Sequence, residues 1–480
     1  MIRLPLLRAG RPYFSLETAT LADVRTGRPV AEVSQANTGL IAHDLLQGRA
    51  AGRALRDLPV AELLEVCRRA AAHFTGSDLP LGEGTQSPRA YLRQLSSTTG
   101  LPETLCRENM DKIRFVLQEM EQVLGGLTRG LDLAVLDAGW MRLGPRPVSY
   151  LRQADWLGAV LPSNSPGVHS LWLPAIPLKV ALALRPGRQE PWTPYRIAQA
   201  FLAAGCPAAA LGFYPSEHAG ATEILLRCER SLLFGDGATV QPWRAAPGVQ
   251  IHGPGWSKIF LAADCVDDWE SYQDLMLTSI VSNGGRSCVN ASGIWVAGRG
   301  REIAGALAGR LAALRPRPLD HPQASLAAFS RPAQAHQVSR FIDRQLAIPG
   351  AEDLTARLRG GPRVVEAEGL TFLLPTLVWC EDADHPLAQA EFLFPFAAVV
   401  EMPQAEMLRR VGPTLVATFL SRDRLLQRQA LECRRLERLN LGPVPTTRVC
   451  WDQPHEGNLF EHLYWQRAFQ RDDTPRAGAV

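Results

Sequence analysis

At 480 residues the chain is too long for one small core, and two or three structural units are expected. Its 46% hydrophobic and 21% charged residues are ordinary for a soluble protein, and a net charge of +3 spread without runs argues against a nucleic-acid or anionic-membrane binder. No apolar run approaches the roughly 18 residues of a membrane span.

The start, MIRLPLLRAGRPYF, lacks the apolar length of a signal peptide. Two amphipathic helices are then predicted in the first third. RDLPVAELLEVCRRAAAHF has Asp57 near its N-cap, Pro59 in its first turn, and Val60, Leu63, Leu64 and Cys67 at helical spacing. PETLCRENMDKIRFVLQEMEQVLGGL reads as one longer helix stopped at Gly125–Gly126. WMRLGPRPVSYLRQ is polar and extended with turn residues in its middle, a hairpin arm.

From Trp156 short apolar runs alternate with helical segments: WLGAVLP, VALALRP, AAALGFY and SLLFGD. Between the second and third lies TPYRIAQAFLAAGCP, a helix with Thr193 as N-cap, Pro194 at its first position and Gly205 as its stop. This alternation implies a parallel sheet covered on both faces. The pattern restarts after Gly255 with SKIFLAA, DDWESYQDLMLTSIVS, SGIWVAG and REIAGALAGRLAALRP, a second α/β unit.

Nine cysteines, an odd number without a C-x-x-C pair, speak against a disulfide framework or a zinc site and fit a reducing cytoplasm. Only Lys112, Lys179 and Lys258 are lysines, so few amine nucleophiles exist. Cys288 stands apart. It lies in SNGGRSCVNAS between a predicted helix and a predicted strand, on a loop opened by Gly284 and Gly285. Glycines there let backbone approach a ligand, and a nearby main-chain N–H can serve an oxyanion. The alternative is a buried cysteine acting as a small hydrophobe, the role expected for Cys67, Cys206 and Cys228.

LPSNSPGVHSLWLPAIPLKVALALRPGRQEPWTP followed by AGCP resembles the cofactor-binding core of the aldehyde dehydrogenase superfamily. NGGRSC resembles its nucleophile motif and EFLFPF its glutamate–phenylalanine–glycine–proline signature, in the family's order from about Val148 to Val449. The resemblance implies an α/β fold with a Rossmann-like NAD(P)-binding domain (1–138 and 154–253), a catalytic domain (254–440), and an oligomerisation arm with C-terminal tail (139–153 and 441–480). It implies a homodimer or homotetramer.

Carried over by position, Cys288 is the nucleophile, with Asn164 and the Cys288 N–H as oxyanion donors. Glu391 would hold the nicotinamide ribose. Leu393 and Phe394 stand where the family has phenylalanine and glycine, which alters that cofactor contact. Trp172, Val168, Ser287 and Val289 would line the substrate pocket. Gly235 and Gly237 are the close-approach positions in LFGDGATV, which lacks the usual threonine–glycine–serine.

Two departures refine the expectation. Hydrolytic members have a glutamate where VQIHGPGWSK places His252, and HGPG looks like the coenzyme A-acylating branch. A thiol acceptor needs less base assistance than water, so reduction of an acyl-CoA, or of an acyl-carrier thioester, to an aldehyde is expected, with coenzyme A as co-substrate. Aldehyde oxidation with His252 as the base is the alternative, and an inactive scaffold a third reading. In LRPGR, Arg185 takes the family's basic position and Arg188 replaces an acidic residue, which favours NADP(H) over NAD(H).

Overall fold

In the computed structural model, which describes residues 1–471, two seven-stranded sheets form the frame. Five parallel strands of the first sheet run in the order Val249–His252, Arg230–Phe234, Trp156–Val160, Ala181–Arg185 and Leu211–Phe213. The antiparallel strands Leu6–Arg8 and Arg11–Tyr13 extend its far edge. Chain order reverses beside Trp156–Val160, so a crevice opens at the carboxyl ends of that strand and Arg230–Phe234. Trp156–Val160 and Ala181–Arg185 are buried at every position, as expected for parallel strands covered on both faces.

The second sheet runs Ala351–Asp353, Thr376–Cys380, Phe396–Glu401, Gly293–Val296, Lys258–Leu261, Thr414–Leu420, Leu436–Leu441, all parallel except the first. Both predicted restart strands are central here. The arm is a hairpin of Trp140–Leu143 and Arg146–Arg152, completed by a third antiparallel strand, Tyr464–Arg467. Of the tail expected at 441–480, residues 472–480 lie outside the described residues. No helix among the described residues is long and apolar enough to cross a membrane.

Three local expectations are corrected. The long helix is two, Glu103–Gln118 and Met120–Leu127, broken where Glu119 leaves helical geometry (φ −97°, ψ 26°). Gly125 and Gly126 do not end it. A Cβ at Gly126 would stand 1.9 Å from the Asp452 carbonyl oxygen, so this glycine lets the C-terminal segment pack against the helix. Third, the helix after the second strand is Trp192–Ala203, with Thr193 inside it. Its N-terminal capping is done by Glu190, whose carboxylate accepts from the Thr193 N–H at 2.8 Å. The sequence reading also missed the N-terminal strands and the helices Thr38–Leu45, Gly48–Arg56 and Pro88–Thr99.

Candidate active site

The crevice at the sheet's carboxyl ends is a cavity of about 500 Å³. Asn164 and Val168 follow the strand Trp156–Val160, Gly235 follows Arg230–Phe234 and His252 ends Val249–His252; all four line it. Ser287, Cys288, Glu391 and Leu393 close it from the catalytic side. Sequence positions far apart thus converge on one cleft.

The Cys288 loop is held by a polar network. Asn283, at φ +53°, sends its amide to Ser165 Oγ and Ser287 Oγ, both at 3.0 Å, and accepts from the Asn109 amide at 2.7 Å. Asn164 Nδ2 donates to the Arg286 carbonyl at 2.7 Å, which locks the Asn164 loop to the Cys288 loop and leaves a second amide hydrogen for a ligand. Gly285, at φ +70°, has no room for a Cβ, which would lie 2.4 Å from backbone at Phe394 and Pro395. That close approach joins NGGRSC to EFLFPF. Cys288 itself is half-buried. Burial first, then the Glu456 and Glu391 charges, push its thiol well above the usual range. The resting group is therefore a thiol rather than a thiolate.

Glu391 is turned onto the HGPGWS loop, where its carboxylate accepts from the N–H groups of Gly255 (3.1 Å) and Trp256. Burial pushes it up to about 7, against those two bonds and nearby Lys258. Lys258 is buried and pulled down to about 8, chiefly by desolvation. A folded carboxyl at about 7 against 4.5 unfolded holds an extra proton between those pH values, so stability falls as pH rises through that window. Glu391→Gln removes this slope. Thermal melts from pH 4.5 to 7.5 are expected to show wild type losing ground to the variant by a few degrees, roughly the effect of 3 kcal/mol. Equal slopes would contradict it.

His252 is buried and stacked on Phe234, ring centroids 4.3 Å apart. The Gln250 amide donates to its Nε2 at 3.1 Å, which leaves the ring proton on Nδ1, directed at the Glu456 carboxylate. Both nitrogens are engaged. Beside it, Arg438 donates to His455 Nδ1 at 2.7 Å, and burial with the Arg438 charge pulls His455 well below its usual range. His455 is therefore neutral, with its proton on Nε2, 3.9 Å from Glu456. Ligand atoms of Cys288, His455 and Glu456 lie within 4.8 Å of one another, close enough to hold a metal ion. The proton on Nε2 removes the lone pair such an ion would need.

A family model described as the aldehyde dehydrogenase family matches residues 156–411, more than half of the chain. The chain belongs to the aldehyde dehydrogenase family. Among solved structures, this aldehyde dehydrogenase is similar to one described as a putative aldehyde dehydrogenase from Burkholderia cenocepacia, at 16% identity and a TM-score of 0.78, covering 97% of both chains. An indole-3-acetaldehyde dehydrogenase from P. syringae, in complex with NAD+ and IAA, has 16% identity and a TM-score of 0.79, over 97% of this chain and 96% of that one. One from Physcomitrella patens, in complex with the reaction product succinate, has 15% identity and a TM-score of 0.78 over 97% of both. At these identities the likeness establishes the fold. No curated protein matches the chain.

The remaining expected residues of the aldehyde dehydrogenase divide. Trp172 is fully buried, its indole N–H donated to His169 Nδ1 at 3.2 Å, and it lies outside the cleft lining. The short helix Pro166–Leu171 turns it into the core rather than toward a pocket. Val289 likewise packs on Leu415 and Val416 instead of lining the cleft. Arg185 is buried with its guanidinium on the Ser216 carbonyl at 2.8 Å, so it buttresses the loop rather than reaching out. Arg188 is exposed and paired with Glu217. Gly235 makes room for Thr239, whose methyl would lie 2.6 Å from an added Cβ, whereas Gly237 faces open space. Sequence reasoning missed Glu456 and His455, which no local motif marks.

Proposed function

We propose that the protein oxidises aldehydes to carboxylic acids with NAD(P)+, through covalent attachment of the substrate to Cys288. The observation that carries this reading is the Cys288 thiol opening into the crevice at the carboxyl ends of the parallel sheet, beside Asn164. The thiol sulfur adds to the carbonyl carbon, and its proton passes to a base. Asn164's unused amide hydrogen is available to the developing oxyanion. Asn283 and Arg286 hold the loop still; Arg286 bonds the Thr99 (2.7 Å) and Ala328 carbonyls. After oxidation Cys288 carries the acyl group as a thioester, which water cleaves. The test is absorbance-monitored reduction of NAD+ and NADP+ with a panel of aliphatic and aromatic aldehydes. Absence of aldehyde-dependent reduction with both cofactors rejects the proposal.

A bound nicotinamide would supply the hydride acceptor. The chain's residues fit a dinucleotide. A second cavity of about 640 Å³, lined by Pro186, Gly187, Arg188, Ser216 and Glu217, adjoins the first through Gln189 and Ser330. Gly187 permits this, because a Cβ there would strike Ser163 Oγ at 2.2 Å. Arg188 supports a preference for NADP(H), since it can leave Glu217 for a 2′-phosphate. Arg188→Glu is expected to weaken NADPH binding by about 10- to 100-fold and NADH binding little, the scale of a charge-assisted pair. Titrating both cofactors checks this; equal losses would show that Arg188 does not meet the phosphate.

A second reading, reduction of an acyl-CoA thioester to an aldehyde, is favoured by HGPG and by the missing carboxylate at position 252. What turns the balance toward water is that a carboxylate, Glu456, stands beside the sulfur all the same.

A further inference from the structure

We propose that Glu456, delivered by the C-terminal segment, is the general base of this site, and that His252 orients it. The inference deepens the reading of Cys288 as nucleophile and rests on it. Glu456 has a carboxylate oxygen within 4.8 Å of Cys288 Sγ, inside the reach of proton transfer, directly or through one water. The carboxylate is nearly enclosed, with 10% of its side chain exposed, and accepts the His252 Nδ1 proton. His252 cannot itself act as base, because its Nε2 is taken by Gln250.

The backbone is bent to bring this carboxylate inward. Glu456 has φ +50°, a left-handed conformation unfavourable for a residue with a side chain, and Gly457 follows at φ +111°. The turn closes with the His455 N–H on the Gly457 carbonyl at 3.0 Å. Such strain persists only where surrounding structure enforces it. Here the segment is pinned by Asp452 against Gly126 and by the Asn458 amide on the Leu127 carbonyl at 2.9 Å.

The charges around Glu456 suit the task. His252 and neutral His455 face it from two elements, Arg438 sits behind His455, and the Glu437 and Glu391 carboxylates lie near enough to interact with it. In the first half-reaction Glu456 takes the thiol proton as sulfur bonds the carbonyl carbon, and releases it to solvent once the hydride has left, so the carboxylate is free again when water enters. In the second, water attacks the thioester carbon and gives its proton to Glu456. The carbon–sulfur bond then breaks, the thiol recovers that proton, and one carboxylic acid leaves per water consumed.

The test uses p-nitrophenyl acetate, an activated ester that acylates a thiol without cofactor, on wild type, Glu456→Gln and Glu456→Asp. In wild type the acetyl-enzyme turns over. Glu456→Gln is expected to be acetylated more slowly, because its thiol has lost its base, and, once fully acetylated by excess ester, to keep the adduct on Cys288 with deacylation slowed by about 10²- to 10⁴-fold. Glu456→Asp is expected to recover part of that loss. Hydroxylamine, which needs no base to cleave a thioester, should release the acetyl group from Glu456→Gln as fast as from wild type. That rescue and unchanged NADPH binding show that the variant is folded. Deacylation of Glu456→Gln at the wild-type rate, or loss of the hydroxylamine rescue, overturns the assignment while Cys288 stands. Wild type that forms no Cys288 adduct overturns the nucleophile and this proposal together.

Discussion

Cys288→Ala abolishes aldehyde-dependent reduction of the cofactor and leaves NADPH binding nearly unchanged. The loss is expected to be about 10⁴-fold or more, because the covalent route disappears and no other group can replace it. Other cysteines are poor substitutes. Cys67, Cys106, Cys206 and Cys228 are buried in the first core, where desolvation raises their thiols. Cofactor binding should survive, since the cavity proposed for the adenosine side is built from residues 186–189 and 215–217 rather than from the Cys288 loop. Intact-mass measurement after aldehyde and NADP+ gives the complementary result: an acyl adduct on wild type and none on the variant. Turnover by an adduct-free Cys288→Ala enzyme would reject covalent catalysis.

How much of this was legible in the sequence depends on the range over which each feature is determined. The strands at Trp156, Ala181, Lys258 and Gly293 were readable because each is an uninterrupted apolar run between turn residues, a purely local signal. The same holds for the nucleophile loop, where Gly284 and Gly285 mark a backbone that must turn through positive φ. Trp172 misled because sequence spacing fixes distance along a helix but not which way a short 3₁₀ turn points its aromatic ring. The break at Glu119 carries no proline or glycine to announce it, and Gly126 looked like a stop because its partner, Asp452, is in the C-terminal segment.

Glu456 is the extreme case. It meets His252 across 204 positions of sequence, so a carboxylate that position 252 does not carry reaches the same histidine from another part of the chain. The Asn109–Asn283 bond, spanning 174 positions, is of the same kind. Such pairings are decided by the packing of whole domains, after local structure has formed.

The acyl acceptor is decided by one kinetic experiment. With aldehyde and NADP+ but no thiol, sustained production of NADPH is expected beyond the first equivalent, with one carboxylic acid per NADPH. A carboxylate within 4.8 Å of the sulfur can give the base assistance that water requires more than a thiol does. Coenzyme A should then accelerate turnover little, because hydrolysis already regenerates Cys288. His252→Ala should lower the thiol-independent rate by only about 10-fold. It removes the hydrogen bond that aims Glu456 but leaves the carboxylate, whereas loss of the base itself costs about 10²- to 10⁴-fold. The HGPG reading gives the opposite pattern. NADPH would stop after about one equivalent, acyl-enzyme would be recoverable on Cys288, and added coenzyme A would restart the reaction with an acyl-CoA as product. In that pattern His252→Ala and Glu456→Gln would leave the thiol-dependent rate nearly untouched, because a thiolate arrives as its own nucleophile. A stall relieved only by thiol would therefore overturn oxidation to the acid and establish thioester exchange at the same cysteine.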